Sequence, residues 1–202
     1  TRKMKAMKKT LILGIAIFSF SIVGTSMKAQ VSKTVDAEKS SVKWKGEKVT
    51  GEHTGTINIK SGTLEFKDAK LTGRNIVIDM ASIENTDLEG EYKGKLEGHL
   101  KSDDFFGIAT YPEASLVITK VKEGKKEGTY EITGNMTIKG ITNPITFTAT
   151  FIDDNGTTIA NANLIIDRSK YDVKYGSGSF FDNLGDKTIY DEFTLTVNLV
   201  TK

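Results

Sequence analysis

From Ser41 to the end of the chain, apolar residues recur at every second position, and this alternation confines the chain to half-buried β-strands. In "SVKWKG" (41–46), Val42 and Trp44 fall on one face and lysines on the other. "GTINIKSGTLEF" (55–66) continues the pattern with Ile57, Ile59, Leu64 and Phe66, and "RNIVIDM" (74–80) with Ile76, Ile78 and Met80. Five more stretches follow: "SLVITKV" (115–121), "TYEITGNMTIKG" (129–140), "PITFTATF" (144–151), "TIANANLIID" (158–167) and "DEFTLTVNLV" (191–200). Polar turns such as "EGKKEG" (123–128) and "DDNG" (153–156) join neighbours as antiparallel hairpins. About eight strands, each with one apolar face, close into a barrel, because closure removes the exposed edges of an open sheet. The expected fold is therefore all-β, an eight-stranded antiparallel barrel with one or two short helices in its connections.

Two segments interrupt the strand rhythm. Residues 86–101 place Leu88, Tyr92, Leu96 and Leu100 four apart, one stripe of a short helix, and 167–190 is rich in Gly, Asp and aromatics with a helical turn after Asp167. Phenylalanine pairs accompany these interruptions, Phe105 and Phe106 in "HLKSDDFFG" (99–107) and Phe180 and Phe181 in "GSFFDNLGD" (178–186). Rings on such loops either plug the end of a core or wall an apolar pocket. A barrel of about eight strands is wide enough to be filled by side chains or to hold one slim ligand. The inward candidates are Ile57, Ile76, Ile78, Ile118, Ile132, Met136 and Ile138, with Trp44, Phe66, Phe147 and Phe151. Periodicity alone does not separate a packed core from a lined tunnel.

Residues 1–29 read as a secretory signal peptide: a basic start through Lys9, an uncharged run from Leu11 to Val23, and Ala29 at the cleavage point. The run falls short of the roughly 20 apolar residues of a bilayer crossing, so no stable membrane insertion is expected. One domain, 30–202, follows. With no cysteine anywhere, it has neither a lipoprotein anchor nor a disulfide. The leader holds six of the 28 basic residues and none of the 26 acidic ones, which leaves a net charge of −4. A mildly acidic domain without a basic patch argues against nucleic acid as a partner.

The motifs "VKWKGEKVTGEHTGTINIKSGTLEF" (42–66), "HLKSDDFFGIATYPEASLVITKV" (99–121), "YEITGNMTIKGITNPITFTATF" (130–151) and "IDRSKYDVKYGSGSFFDNLGDKTIYDEFTLTV" (166–197) follow one another in an order that resembles the YceI-like family, exported proteins described as polyisoprenoid-binding. The resemblance spans nearly the whole of 30–202. It departs at Gly107, where the family pattern more usually has Asp, so no carboxylate role is carried over there. The family implies a lipocalin-like barrel in the periplasm or outside the cell, with a long-chain isoprenoid or fatty-acid-type ligand inside. The ligand-binding candidates are then Trp44, Phe66, Ile78, Phe105, Phe106, Ile118, Met136, Ile138, Phe147, Phe180 and Phe181.

The polar candidates are few. His53 and His99 are the only histidines, and neither has a His-x-His or His-x-x-x-His partner, so no metal site is expected. His99 is expected to fix the 99–107 turn by hydrogen bonding; both histidines could alternatively meet a polar head group at the tunnel entrance. No serine lies in a Gly-x-Ser-x-Gly elbow, and "YGSGSFF" (175–181) lacks the Gly-Lys-Ser/Thr of a phosphate loop, which leaves it a turn. Asp167 and Arg168 read as a charge pair anchoring the second interruption. The expectation is a binding protein, with no enzymatic activity and no cofactor. Its alternatives are a solid-cored structural or stress-response interaction domain and an isoprenoid- or quinone-handling enzyme. A barrel open and apolar at one end could also pair mouth to mouth as a homodimer.

Overall fold

The computed structural model describes residues 30–202. The leader expected over 1–29 lies outside the described residues. Nine strands and one helix follow in the order β1 (Gln30–Thr34), β2 (Ser41–Lys48), β3 (Gly51–Lys67), β4 (Lys70–Asn85), α1 (Gly90–Lys101), β5 (Glu113–Glu123), β6 (Thr129–Ile138), β7 (Ile141–Asp154), β8 (Thr157–Asp167) and β9 (Ile189–Val200). Short 3-10 turns occupy Arg168–Tyr171 and Gly185–Lys187. All eight expected strands are present.

The sheet runs β3-β2-β9-β8-β7-β6-β5-β4, and β4 pairs back with β3, so the ring is closed and every neighbour is antiparallel. The ninth strand does not widen it. β1 pairs with the far half of β3 (Thr63–Lys67) and β2 with its near half (Gly51–Ile57), so the two short strands share one slot of an eight-slot ring. Val35 bridges to Thr201 there and continues the seam with β9. The chain before Ser41 lacks clean alternation, which is why periodicity did not signal β1.

Two ends of the barrel follow from this path. At one lie the turns 35–40, 68–69, 124–128 and 155–156. The opposite end carries α1, the 102–112 loop and the 168–188 segment. Asn155 takes a positive φ beside Gly156, as a tight hairpin turn demands. The buried side chains Val42, Ile57, Ile59, Leu64, Ile132, Leu164, Ile166 and Leu199 all point inward from strands. On α1 only Leu100 is buried; Tyr92, a member of the expected stripe, stays 74% exposed because it faces away from the sheet.

Gly55 shows how tightly the seam beside Trp44 is built. A Cβ there would lie 1.9 Å from the Glu84 carbonyl oxygen and 2.4 Å from the Trp44 ring, and Trp44 Nε1 donates to the Thr56 carbonyl at 3.2 Å. Gly55→Ala must therefore push β3 from β4 or tilt the indole, an overpacking cost of about 1–3 kcal/mol or more. A urea melt followed by far-ultraviolet circular dichroism should show a lowered midpoint for Gly55→Ala, with Gly94→Ala on the open face of α1 neutral or stabilising.

Candidate functional site

The inward faces do not meet across the axis. They enclose a cavity of about 200 Å³, far above the roughly 10–15 Å³ that one water needs. Its wall is almost wholly hydrocarbon: among the described residues that line it, only Arg168, Tyr190 and Trp44 carry nitrogen or oxygen in their side chains. On β6 the wall runs from Ile132 to Ile138, about 20 Å along the strand at roughly 3.3 Å per residue. Left empty, a void of this volume would forfeit about 5 kcal/mol at roughly 24 cal/mol per Å³. That is comparable to the entire net stability of many domains, about 5–15 kcal/mol. Water has too few polar partners in the wall to repay it, so the fitting occupant is apolar and elongated.

Of the eleven residues singled out from the sequence, Trp44, Ile78, Phe105, Phe106, Ile118, Met136, Ile138 and Phe147 stand on this wall. Phe66 is buried but lies outside it, near the 68–69 turn with Lys33 Nζ 5.4 Å from its ring. Phe180 and Phe181 are not walls. They are 43% and 50% exposed, because both of their N–H groups donate to the Ser177 carbonyl and the Ser179 hydroxyl donates to Asp191, which folds this turn over the outside of the rim. Gly176, with φ of 63°, gives the turn its left-handed step.

Phe105 and Phe106 reach the cavity by a compact turn after α1. The N–H of Phe105 donates to Ser102, Phe106 to Leu100 and Gly107 to Ser102, with Gly107 left-handed at φ 58°. Both rings are buried and stack edge to face at 5.0 Å, and Phe106 meets Phe193 at 6.4 Å. His99 enters this aromatic stack at 5.6 Å from Phe105 and 4.3 Å from Tyr175. Its imidazole does not tie the turn by hydrogen bonding as the sequence suggested: Nε2 is buried without a partner, and the main-chain carbonyl of His99 accepts from Ser102 instead.

The mouth is held by Arg168, which anchors the second interruption as the sequence suggested but through partners the sequence did not reveal. Between Gly46 and Lys48 the register of β2 on β9 slips, so that Gly46 faces Phe193 and Lys48 faces Ile189. Tyr190 is left without a β2 partner, and β8 has already ended at Asp167 opposite Glu192. Arg168, only 3% exposed, fills this gap: its guanidinium donates to the carbonyls of Tyr190 (3.1 Å), Ile189 (2.9 Å) and Val173 (2.7 Å). Its ion partner is Asp191 at 3.5 Å, not Asp167, whose carboxylate turns to the N–H and hydroxyl of Ser169. Burial pulls the Arg168 pKa below its ordinary value, and Asp191 and Asp167 offset this only in part. Tyr190 lines the cavity yet is half-exposed, so the void reaches the surface beside this clamp. Gly46 contributes to the same opening by omission, for a Cβ there would meet nothing within 4 Å.

His53 lies away from the wall, on β3, where Nδ1 meets the Asp87 carboxylate at 2.8 Å. Asp87 also accepts from Thr54 N–H at 2.7 Å and from the buried Asn85 amide, a knot that secures the entry to α1. Burial disfavours the Asp87 charge, but the hydrogen bonds from Thr54, His53 and Asn85 outweigh it and hold the carboxyl below its ordinary value. Among the described residues, no three His, Asp or Glu side chains converge as a metal site, and no helix is long and apolar enough to cross a membrane.

Comparison with known proteins gives a concordant picture. The family model described as YceI-like domain matches residues 34–201. A UPF0312 protein of Pseudomonas putida (strain W619) is 32% identical over 151 residues, covering 72% of this chain and 73% of that protein. Among solved structures, Burkholderia cenocepacia BcnA superposes with a TM-score of 0.67 at 24% identity, over 83% of this chain and 99% of that one. A polyisoprenoid binding domain from Saccharophagus degradans, implicated in plant cell wall breakdown, gives 0.62 at 15% identity, over 84% and 97%. At these identities the structural likenesses show the shared barrel.

Two outcomes test the mouth. Arg168→Lys retains the charge but cannot reach three carbonyls, so it should cost about 2–5 kcal/mol and speed hydrogen exchange in 173–191 while the β5–β7 amides stay protected. For Asp87, a carboxyl lowered by folding stabilises the protein above the ordinary carboxylate range, and that contribution is lost as pH falls through the folded value. Glu84, Asp153, Asp167 and Asp172 are lowered too, so Asp87→Asn should lower neutral stability and lessen the acid slope, without abolishing it, in melts followed from pH 7 to about pH 3.

Proposed function

This chain belongs to the YceI-like domain family, and on that premise we propose that it encloses one long-chain amphiphile, a polyisoprenoid or fatty-acid derivative, along the axis of its barrel. The observation that carries the reading is the apolar cavity itself, too large for a packing defect and too poor in polar groups to favour water. The Saccharophagus degradans protein, a polyisoprenoid binding domain of the same fold, supports the class of ligand. The energetics are adequate: each buried methylene contributes about 0.8 kcal/mol, so a dozen supply roughly 10 kcal/mol before ordering costs, against about 8 kcal/mol for micromolar affinity.

Sequestration is the mechanism. Wall residues from Trp44 to Phe147 supply the hydrocarbon environment, and the head group of the guest emerges at the end of the wall beside Arg168 and Tyr190. No reactive group is needed for this. The basic start and uncharged run ahead of Ala29 support export to the periplasm or outside the cell as part of this proposal.

Organic extraction of the purified protein, followed by mass spectrometry, tests the proposal. A long-chain species should co-purify at about one per barrel. Gly46→Leu adds a side chain into open space at the mouth and should reduce the recovered species about tenfold with thermal stability unchanged or raised. Repeated blanks from the parent protein, also after incubation with fatty acid and farnesyl lipids, would favour the surface-acting structural domain.

A further inference from the structure

The large exposed apolar side chains are unevenly distributed. Among the described residues the exposed aromatics are Tyr92, Tyr111, Tyr175, Phe180, Phe181 and Tyr190, and every one lies at the mouth end of the barrel. The opposite end presents the turns "AEKS" (37–40), "DA" (68–69), "GKKEG" (124–128) and "NG" (155–156), with no exposed aromatic. Solvent-facing aromatics confined to one end exceed what scattered surface apolar residues require.

The densest part is one connected segment. Tyr175 packs on His99 of α1, Phe180 and Phe181 sit on the turn closed by Ser177, and Ile189 N–H donates to the Gly176 carbonyl, which ties this turn to β9 next to Tyr190. Val49, half-exposed at the tip of the β2–β3 turn, joins through its N–H to Thr188. Lys174 pairs with Asp172 at 2.6 Å, which leaves Lys187 against Asp182 and Asp186 and a net charge of −1 over 172–187. Lys174 Nζ lies 5.3 Å from the centroid of the Phe180 ring.

Resting on the ligand reading above, we infer that this aromatic rim docks the barrel mouth onto a lipid bilayer surface, where the guest passes between membrane and cavity without crossing water. Phe and Tyr suit that partner because their rings settle at the headgroup and acyl boundary. Continuity carries the assignment: Tyr190 belongs at once to the cavity wall and to the exposed rim, so bilayer and cavity would form one apolar path. With no positive excess in the segment, binding should gain nothing from anionic lipid.

The test pairs Phe180→Ser/Phe181→Ser with the parent protein, using vesicles of phosphatidylcholine alone and of phosphatidylethanolamine with phosphatidylglycerol. The parent should cosediment with both kinds and gain hydrogen-exchange protection in 174–190 but not in 124–128. The double variant should lose about tenfold in partitioning per ring and lose that protection, whereas Ile152→Ser at the far end should behave as the parent. Transfer of a pyrene-labelled hexadecanoic acid from vesicles should slow in the double variant, with uptake from dilute ethanol solution unchanged. Equal vesicle binding and transfer by parent and variant would overturn the docking inference. So would a parent dimer that the serines dissolve and that shows no protection by vesicles. If neither protein takes up the probe from any source, the ligand reading falls; loss of vesicle protection in the variant alone would still support docking.

Discussion

Pairing of β3 with both β2 and β4 turns a sheet into a ring, and the diameter of that ring is set by strand number rather than by the side chains available to fill it. Once eight slots are closed, main-chain hydrogen bonds resist collapse of the barrel onto its axis. Isoleucine, methionine and alanine on the inner face then leave a gap that bulkier residues would have filled. The hollow is a consequence of rigid walls with slender linings. Such a cavity is a standing cost to the empty protein, and a guest that fills it is bound in part because it relieves that cost.

The same wall has to end somewhere, and its end is where polar chemistry gathers. A strand that slips register leaves carbonyls unpaired, and unpaired carbonyls beside an apolar void are expensive. Arg168 answers two of them, at Ile189 and Tyr190, together with the Val173 carbonyl of the neighbouring loop, from one planar group that a lysine ammonium does not match in geometry. Its own burial is offset in part by Asp191 and by those carbonyls, so the mouth is ordered by one charged side chain within an apolar frame. Asp87 performs the corresponding task for the approach to α1, binding His53, Thr54 and Asn85 together. Both histidines are thus absorbed by structure, one in this knot and one in the aromatic stack.

Most of the architecture was legible because alternation with period two is imposed by the pleat itself, and a half-buried strand cannot hide it. β1 escaped because it lies mostly exposed, so its side chains obey no burial pattern. Wall residues such as Ile78, Met136 and Phe147 could be read from their strands, for the inward direction follows from register. Phe180 and Phe181 could not, since a loop side chain obeys its turn and not a pleat; the hydrogen bonds to Ser177 settle where those rings go. Gly46 was visible as an inward position by parity with Val42 and Trp44, yet its meaning depended on what stood opposite. The partner of Arg168 was hidden for a similar reason: Asp167 is adjacent in sequence, but the bulge in the β2–β9 register brings Asp191 to the guanidinium.

The β2–β9 seam joins Ser41 to Asn198, near the two limits of the domain. The other seven pairings of the ring join strands consecutive in the chain and can form in turn as the polypeptide lengthens, but this one joins the first strand of the ring to the last. Until then the nascent sheet has two raw borders and an uncovered greasy concavity, a state prone to sticking. Late, non-local closure of this kind predisposes a chain to slow maturation.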